Sequence, residues 1–431
     1  VTNCIFSGNL AAIHGGGIYN QGNCSPALSD CTFSNNSASG YGGGLYNGSG
    51  CGGTLTNCAF TGNTANYGGG MRNSTSNPTL TNCTFTENSA DYAAGMNNAD
   101  GSDATLTNCT FSGNSAEMNG GGMLNSYSSP LVQACTFSNN SAGGDGAGMY
   151  NYFENTEPLI RSCIFKGNFA EGDGGGMYNR NDTIVMVWNC LFTGNFSPNG
   201  RAVACDSHGG GHLYPNFVKM INCILWEGGG EVWIGDDSVV WVDYSVIPGG
   251  WGWPGMSNWG IDPLLTCDGH LRADSVCIDQ GSWASEPGQG ETDIDGEYRM
   301  YGRIDIGPDE FIDSDADGLP DWWEQKYFAS ATAGDPEDDP DGDGLDNRTE
   351  YESSRNPLFG PRDYYVNPVS GSDQWDGLAP AWGGAHGPKR TIQGAVDATL
   401  QYEGDAVILA PGTYAGPGNR DINFRGKVIT V

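Results

Sequence analysis

Basic residues are scarce in this chain. Its 431 residues include 18 Lys and Arg against 51 Asp and Glu, a formal net charge of -33. A surface so acidic repels phosphate, which argues against nucleic acid as a partner and against docking to an anionic membrane. It suits divalent cations and solubility. Long apolar runs are missing too: no 18 consecutive apolar residues occur, so no segment reads as a membrane-spanning helix. Helical spacing is absent from the first half of the chain. A hydrophobic fraction of 38% is low for one large compact core but ample for an elongated one. Length alone suggests two to four domains. Both ends fall in mid-pattern, Val1 inside a repeat and Val431 inside the strand-like Lys427-Val428-Ile429-Thr430-Val431. The expectation is a longer protein whose signal peptide or anchor lies outside this sequence.

What the first half does contain is a repeat. Cysteines recur at 4, 31, 58, 83, 109, 135, 163, 190 and 223, mostly 25 to 28 residues apart. Phenylalanine follows two residues after each of the first eight, from Phe6 to Phe192, and asparagine three further on, from Asn9 to Asn195. A second anchor, Gly15-Gly16-Gly17-Ile18-Tyr19-Asn20, returns at 42–47, 68–73, 120–125 and 174–179, with weaker copies at 93–98 and 146–151. Each period holds short β-type stretches such as Thr79-Leu80-Thr81, broken by Gly and Asn. A helical solenoid would need two helical stretches per period. A coil of roughly 26 residues with three short strands instead predicts an all-β fold, a right-handed parallel β-helix. Coils then stack at about 4.8 Å and like residues form ladders. Cys and Phe, two apart, share one side of a strand, read as the interior. Asparagine suits tight bends and can also bond its own copies along the axis.

The paired signatures Gly-Gly-x-Ile and Phe-x-x-Asn resemble the repeats of chlamydial polymorphic outer-membrane proteins and, more broadly, bacterial pectate-lyase-like β-helix surface proteins. The resemblance covers residues 1 to about 225. It implies the fold strongly and activity weakly, because such proteins range from adhesins to polysaccharide lyases.

Beyond 200 the repeat degrades. His208-Gly209-Gly210-Gly211-His212, near Cys205 and Asp206, has a metal-like look but aligns with the glycine-triplet anchor, so a repeat variant is the expected account. Residues 226–259 hold six of the twelve tryptophans, Trp226, Trp233, Trp241, Trp251, Trp253 and Trp259, among Glu227, Glu231, Asp236, Asp237 and Asp243. Exposed aromatic faces could stack on sugar rings, and paired carboxylates could do acid–base work; the plain alternative is bulk for wide late coils. The ladder cysteines read as small core residues. Cys24 and Cys51, 27 apart in turn-like text, could pair across neighbouring loops, and Cys267 could pair with Cys277 in a secreted setting. Residues 262–311 resemble the closing segment of bacterial β-helix proteins, with Ser275-Val276-Cys277-Ile278-Asp279-Gln280-Gly281 and Ile304-Asp305-Ile306-Gly307. Such a segment covers the last coil, and Arg299 is expected to pair structurally with Asp293, Asp295 or Asp305.

The strongest chemistry lies in residues 313–324, Asp-Ser-Asp-Ala-Asp-Gly-Leu-Pro-Asp-Trp-Trp-Glu. These fit the twelve-residue calcium-loop template at every ligand position: Asp313, Asp315, Asp317, the carbonyl of Leu319, Asp321 and Glu324, with Gly318 at the sharp turn. Residues 339–350 repeat it through Asp339, Asp341, Asp343, Leu345, Asn347 and Glu350. A hard cation needs six to eight oxygens, and alternate residues of a tight loop converge on one point. The pair, with a short helix expected over 322–328, resembles thrombospondin type 3 and related EF-hand-like calcium repeats. Segment 312–362 carries 14 acids and 4 bases, so without cations it should loosen.

After Pro361 come strand-like text at 363–368, an amphipathic stretch at 391–402 and Pro411-Gly412-Thr413-Tyr414. This resembles the N-terminal start of pectate-lyase-like β-helices. Four segments result: repeats at 1–225, late coils and cap at 226–311, a calcium-loop linker at 312–362, and the start of a second β-helix at 363–431. The expectation is an extracellular or cell-surface, non-catalytic adhesion or glycan-binding scaffold, its partner a polysaccharide or a ligand on a neighbouring or host cell. The alternative is a polysaccharide lyase or glycoside hydrolase. Against it, Arg72, Arg161, Lys166 and Arg180 are the only basic residues up to 200, and none has clustered acids beside it in the sequence.

Overall fold

The structure is a computed structural model. It describes residues 1–207, 215–249, 254–282, 291–299, 302–358, 360, 362–384, 386–399, 405–420, 422 and 431. These divide into two compact units, residues 1–264 with 274–311, and residues 265–273 with 312–431. The second unit therefore takes in 265–273, which the sequence assigned to the cap.

The first unit is a parallel β-solenoid. One coil consists of Thr79–Thr81, Thr84–Thr86, Ser89–Tyr92 and Met96–Ala99. That is four strands where the periodicity suggested three. The extra strand begins with the Ser-Ala pair after the asparagine, too short to show a pattern of its own. Corners fall at Asn82, Glu87, Ala93 and Asp100, all with φ between 54° and 59°. Every strand pairs in parallel with its copy one coil away: Leu80 with Leu55 and Leu106, Phe85 with Phe60 and Phe111, Met96 with Met71 and Met123. Four sheets result, of nine, seven, nine and nine strands.

Phe and Cys do point inward. The rings from Phe6 to Phe192 stack with centroids 4.6–4.9 Å apart, and all but Phe6 are fully buried. Burying each such ring contributes about 1.5–3 kcal/mol, and each stacked contact about 0.5–1.5 more. The glycine triplet makes room for them: a Cβ on Gly70 would lie 2.8 Å from the Phe85 ring and 2.6 Å from the Gly95 carbonyl oxygen.

The asparagines resolve into separate duties. Those just before the cysteines, such as Asn57, Asn82 and Asn108, turn corners with φ near 53°. Those after the phenylalanines are buried and form a ladder. In Asn88 the backbone N–H and the side-chain amide both donate to Asn114 Oδ1, at 3.1 and 2.9 Å, while the amide also reaches Phe60 O at 2.9 Å. A second ladder runs from Asn20 through Asn47, Asn73, Asn98, Asn125 and Asn151 to Asn179, with 2.9 Å amide-to-carbonyl bonds.

The first ladder ends on Glu227. Its two carboxylate oxygens accept from the Asn195 backbone and side-chain amides, each at 2.6 Å. An interior rung must both accept and donate, so it needs an amide. The last rung only accepts, so a carboxylate serves.

Segment 274–311 lies against the flank of the late coils. Gly307 N–H donates to Asn222 O at 2.9 Å, and Ser282 exchanges two bonds with Asn222. Arg161 meets Glu291 at 3.2 Å. Arg299 is structural, as expected, but its carboxylate partner is Glu310 at 3.3 Å, with Asp305 contributing its backbone oxygen at 3.2 Å.

In the second unit, helices form at Asp321–Phe328 and Asn347–Glu352, and Trp323 is buried against Tyr327, Phe328 and Tyr351. Strand Asp363–Val366 pairs in parallel with Ala406–Leu409. Helix Ile392–Ala398, capped by the Thr391 hydroxyl, packs Ala395 and Val396 against Tyr364, Val366 and Val407. Among the described residues no helix is long and apolar enough to cross a membrane.

Candidate metal centre

Each acidic loop is wound by its own aspartates. In the first, Asp313 accepts from the amides of Ala316 and Gly318 at 2.7 and 2.9 Å, and Asp317 from Leu319 at 2.8 Å. In the second, Asp339 accepts from Gly342 and Gly344 at 2.8 and 3.0 Å, and Asp343 from Leu345 at 2.9 Å. Gly318 and Gly344 hold φ of 97° and 96° at the turn, a conformation only glycine adopts freely. The winding gathers one oxygen from each of Asp313, Asp315 and Asp317 within 4.8 Å of one another, and likewise from Asp339, Asp341 and Asp343.

The twelfth residues complete the picture. Glu324 is fully buried, and neither carboxylate oxygen has a hydrogen-bond partner of normal length; the Ala333 backbone lends it only a weak interaction. Glu350 is 1% exposed, with one oxygen unpartnered. Asp341 Oδ2 and Asn347 Oδ1, at the third and ninth positions of the second loop, are also buried without partners. Buried oxygens left unpaired are costly, about 1–3 kcal/mol each and more for charged groups. Burial, reinforced by Asp317, Asp315 and Asp321, raises the Glu324 carboxyl to about 7. Burial, reinforced by Asp341, Asp343 and Asp339, raises Glu350 to about 7. Unpaired oxygens on residues spaced as cation ligands are what a hard divalent cation satisfies. Asp321 differs: its carboxylate accepts from Ser314 N and Oγ at 2.7 and 2.6 Å, consistent with a position where water often intervenes. Leu319 and Leu345 fill the backbone-carbonyl positions, Leu319 fully buried.

The loops are tied together. Arg348 Nη2 donates to Asp317 O at 2.9 Å, and the Trp323 ring lies 5.9 Å from that of Tyr351. Residues 265–273 buttress this core: Arg272 meets Glu352 at 2.8 Å, Tyr351 donates to Leu271 O, and the His270 ring packs on Trp322 at 4.6 Å.

Other candidates fare differently. Trp226, Trp233 and Trp241 stand on three different sheets, so they form no common platform. Trp241 donates to Asp243 at 2.8 Å, and Trp259 bridges to Val246. Trp251, Trp253, His208 and His212 lie outside the described residues. Glu227 has both oxygens engaged by Asn195; burial raises its carboxyl to about 7, with Glu231 adding to the effect. Asp236 serves Ser207 and Ser238. The ladder cysteines are core thiols, and burial holds Cys135, Cys163 and Cys190 well above the ordinary thiol range, so they stay protonated and inert. Cys24 sits beside Cys51, whose proximity holds the Cys24 thiol above its ordinary range. Cys277 is buried in the first unit and Cys267 belongs to the second. No disulfide joins the described cysteines.

Sequence reasoning missed a column on the outward side of one sheet, where Asn97, Leu124, Tyr150 and Tyr178 are nonetheless buried. The strand register lines up Tyr46, Arg72, Asn97, Leu124, Tyr150 and Tyr178 in one outward column. Only that register reveals it, because the residues are about a coil apart in the chain.

A family model described as "Right handed beta helix region" matches residues 1–114 and 73–238, together more than half of the chain. No curated protein and no solved structure matches.

Proposed function

The chain belongs to this right-handed β-helix family, and from that premise we propose a non-catalytic scaffold, displayed outside the cell, in which calcium orders the segment 312–362. The carrying observation is the pair of buried glutamates, Glu324 and Glu350, with unpartnered oxygens at the twelfth position of two acidic loops. Asp313, Asp315, Asp317, Leu319, Asp321 and Glu324 would hold one ion, and Asp339, Asp341, Asp343, Leu345, Asn347 and Glu350 a second. Bound calcium supplies positive charge to a segment of net charge -10 and ionises the raised carboxyls. Because each glutamate lies in the first turn of a helix carrying a core aromatic, closing a loop onto it fixes Trp323 against Tyr351. The segment then acts as a stiff spacer leading into residues 363–431, whose strand, helix and returning strand resemble the start of another β-helix.

Adhesion or glycan binding is the role a long, regular, acidic solenoid suits best. An enzymatic reading gains less support, since Glu227 is spent on the asparagine ladder and Trp226, Trp233 and Trp241 stand on three different sheets. The experiment is limited proteolysis of the full chain with calcium and with chelator. The proposal expects cleavage within 312–362 in chelator and protection at about 10⁻⁴ to 10⁻³ M calcium, the range of extracellular modules. Equal cleavage in both would remove it.

A further inference from the structure

The chain does not run straight into the acidic segment. It leaves the first unit after Leu264, spends residues 265–273 in the second unit, and rejoins the first at Asp274. Those residues form a small hairpin. Leu265 and Leu271 make an antiparallel bridge, Thr266 N–H donates to His270 O at 2.9 Å, and the Thr266 hydroxyl accepts from His270 N–H at 2.9 Å. A hairpin held by one bridge is marginal in water on its own. Four supports reach it from the acidic segment. The Tyr351 hydroxyl donates to Leu271 O, and Arg272 meets Glu352 at 2.8 Å. Ser354 Oγ donates to Asp268 Oδ1 at 2.6 Å and accepts from the Asp268 backbone N–H at 3.1 Å. The His270 ring lies 4.6 Å from that of Trp322.

These partners sit where the two loops close. Trp322 lies between Asp321 and Glu324, and Tyr351, Glu352 and Ser354 follow directly on Glu350. Helix Asn347–Glu352, which carries Tyr351 and Glu352, has six residues, too few to be stable alone. Its backbone is fastened around Glu350, whose N–H donates to Asp346 O at 3.0 Å and whose carbonyl accepts from Arg355 N–H at 2.7 Å. The Glu350 side chain is buried with one oxygen unpartnered. A cation that takes this carboxylate fixes the helix, and with it the spacing of Tyr351, Glu352 and Ser354. Arg348 extends the constraint to the first loop through Asp317 O at 2.9 Å. Gly318 leaves room for that guanidinium, since a Cβ there would lie 3.1 Å from Arg348 Nη1.

We propose that residues 265–273 are a calcium-dependent clip, docked on Trp322 and on residues 351–354 when both acidic loops are filled and released when they are empty. The inference rests on the calcium reading of the loops and adds a conformational response to it. Both ends of the hairpin continue into the 262–311 segment, so its release frees a stretch of chain there. Calcium thereby sets the order of that segment as well as of the spacer. Docking and binding reinforce each other equally: whatever factor calcium adds to docking, docking adds to calcium affinity.

The test is hydrogen exchange over 265–273, with calcium calorimetry, on the full chain and two variants: Glu350→Gln, and the double variant Arg272→Gln, Ser354→Ala. Exchange over residues 80–140 reports that each variant is folded. In the unaltered chain calcium should slow exchange at 265–273 by about 5- to 150-fold relative to chelator, the range of an ordinary coupling. Glu350→Gln should abolish the slowing. The double variant keeps every loop ligand. It should nevertheless exchange fast at 265–273 in calcium, and its overall calcium affinity should fall by the factor measured for the slowing. Calcium binding with slowed exchange over 313–352 and none at 265–273 would overturn the clip and leave the calcium-ordered scaffold standing. So would unaltered calcium affinity in the double variant. Absence of calcium binding to the unaltered chain would overturn both.

Discussion

Replacing Asn114 by Ala tests whether the asparagine ladder holds the solenoid together. The Asn114 side chain makes four buried bonds. It accepts from the Asn88 backbone and side-chain amides at 3.1 and 2.9 Å, and donates to Phe85 O and Asn140 Oδ1, both at 2.9 Å. Alanine removes all four. Asn88 Nδ2 keeps its bond to Phe60 O, and Asn140 Oδ1 keeps the Asn114 backbone donor. The Asn88 backbone N–H loses its ladder acceptor, at about 1–3 kcal/mol, and three other groups are weakened at about 0.5–1 each, for about 2.5–6 kcal/mol in all. Asn9, exposed on the first coil, donates a single side-chain bond, to Asn36 at 2.8 Å, so Asn9→Ala should cost about 0.5 kcal/mol. Asn114→Asp is the sharper control: its carboxylate would still accept from Asn88 but would face Phe85 O and Asn140 Oδ1, so it should be worse than alanine. Because coils interact only with neighbours, hydrogen exchange at residues 80–140 reads the effect better than a global melt. Local opening energies for Asn114→Ala within about 0.5 kcal/mol of those for Asn9→Ala would refute the reasoning.

Two further outcomes follow. Burial raises Glu227 from its ordinary 4.5 to about 7, so its contribution to stability is fully present below about pH 4.5 and lost as pH rises through about 7; Glu227→Gln should flatten this part of the melting profile, and an unchanged slope would contradict its role as ladder terminus. Under an oxidant such as oxidised glutathione, Cys24 and Cys51 should join, each sulfur losing its hydrogen, with peptide mapping finding one cross-link between them and the ladder cysteines still alkylatable after unfolding.

The features legible in the sequence were those written locally or repeated at a fixed interval. Phe85 and Cys83 announce their ladders because a two-residue spacing fixes the side of a strand. Glu324 is legible because twelve contiguous residues specify the loop. The extra strand is only two residues long in most coils that have it, too short to show periodicity, so the spacing suggested three strands rather than four. Arg299 chose Glu310 over nearer acids because the fold of 293–310, not spacing, sets that contact. Glu227 departs from an asparagine column by one residue, and only the register shows it as the final rung. Trp226, Trp233 and Trp241 are close in the chain yet occupy different sheets, while Arg72 and Arg180, far apart in the chain, line one cavity.

Calorimetric titration of the full chain with calcium, paired with hydrogen exchange over 313–352, bears most directly on the central claim. The account predicts two ions per chain at about 10⁻⁴ to 10⁻³ M, slowed exchange around Trp323 and Tyr351, and loss of both in the double variant Glu324→Gln, Glu350→Gln. No saturable binding in that range, or the same exchange with calcium as with chelator, would contradict it.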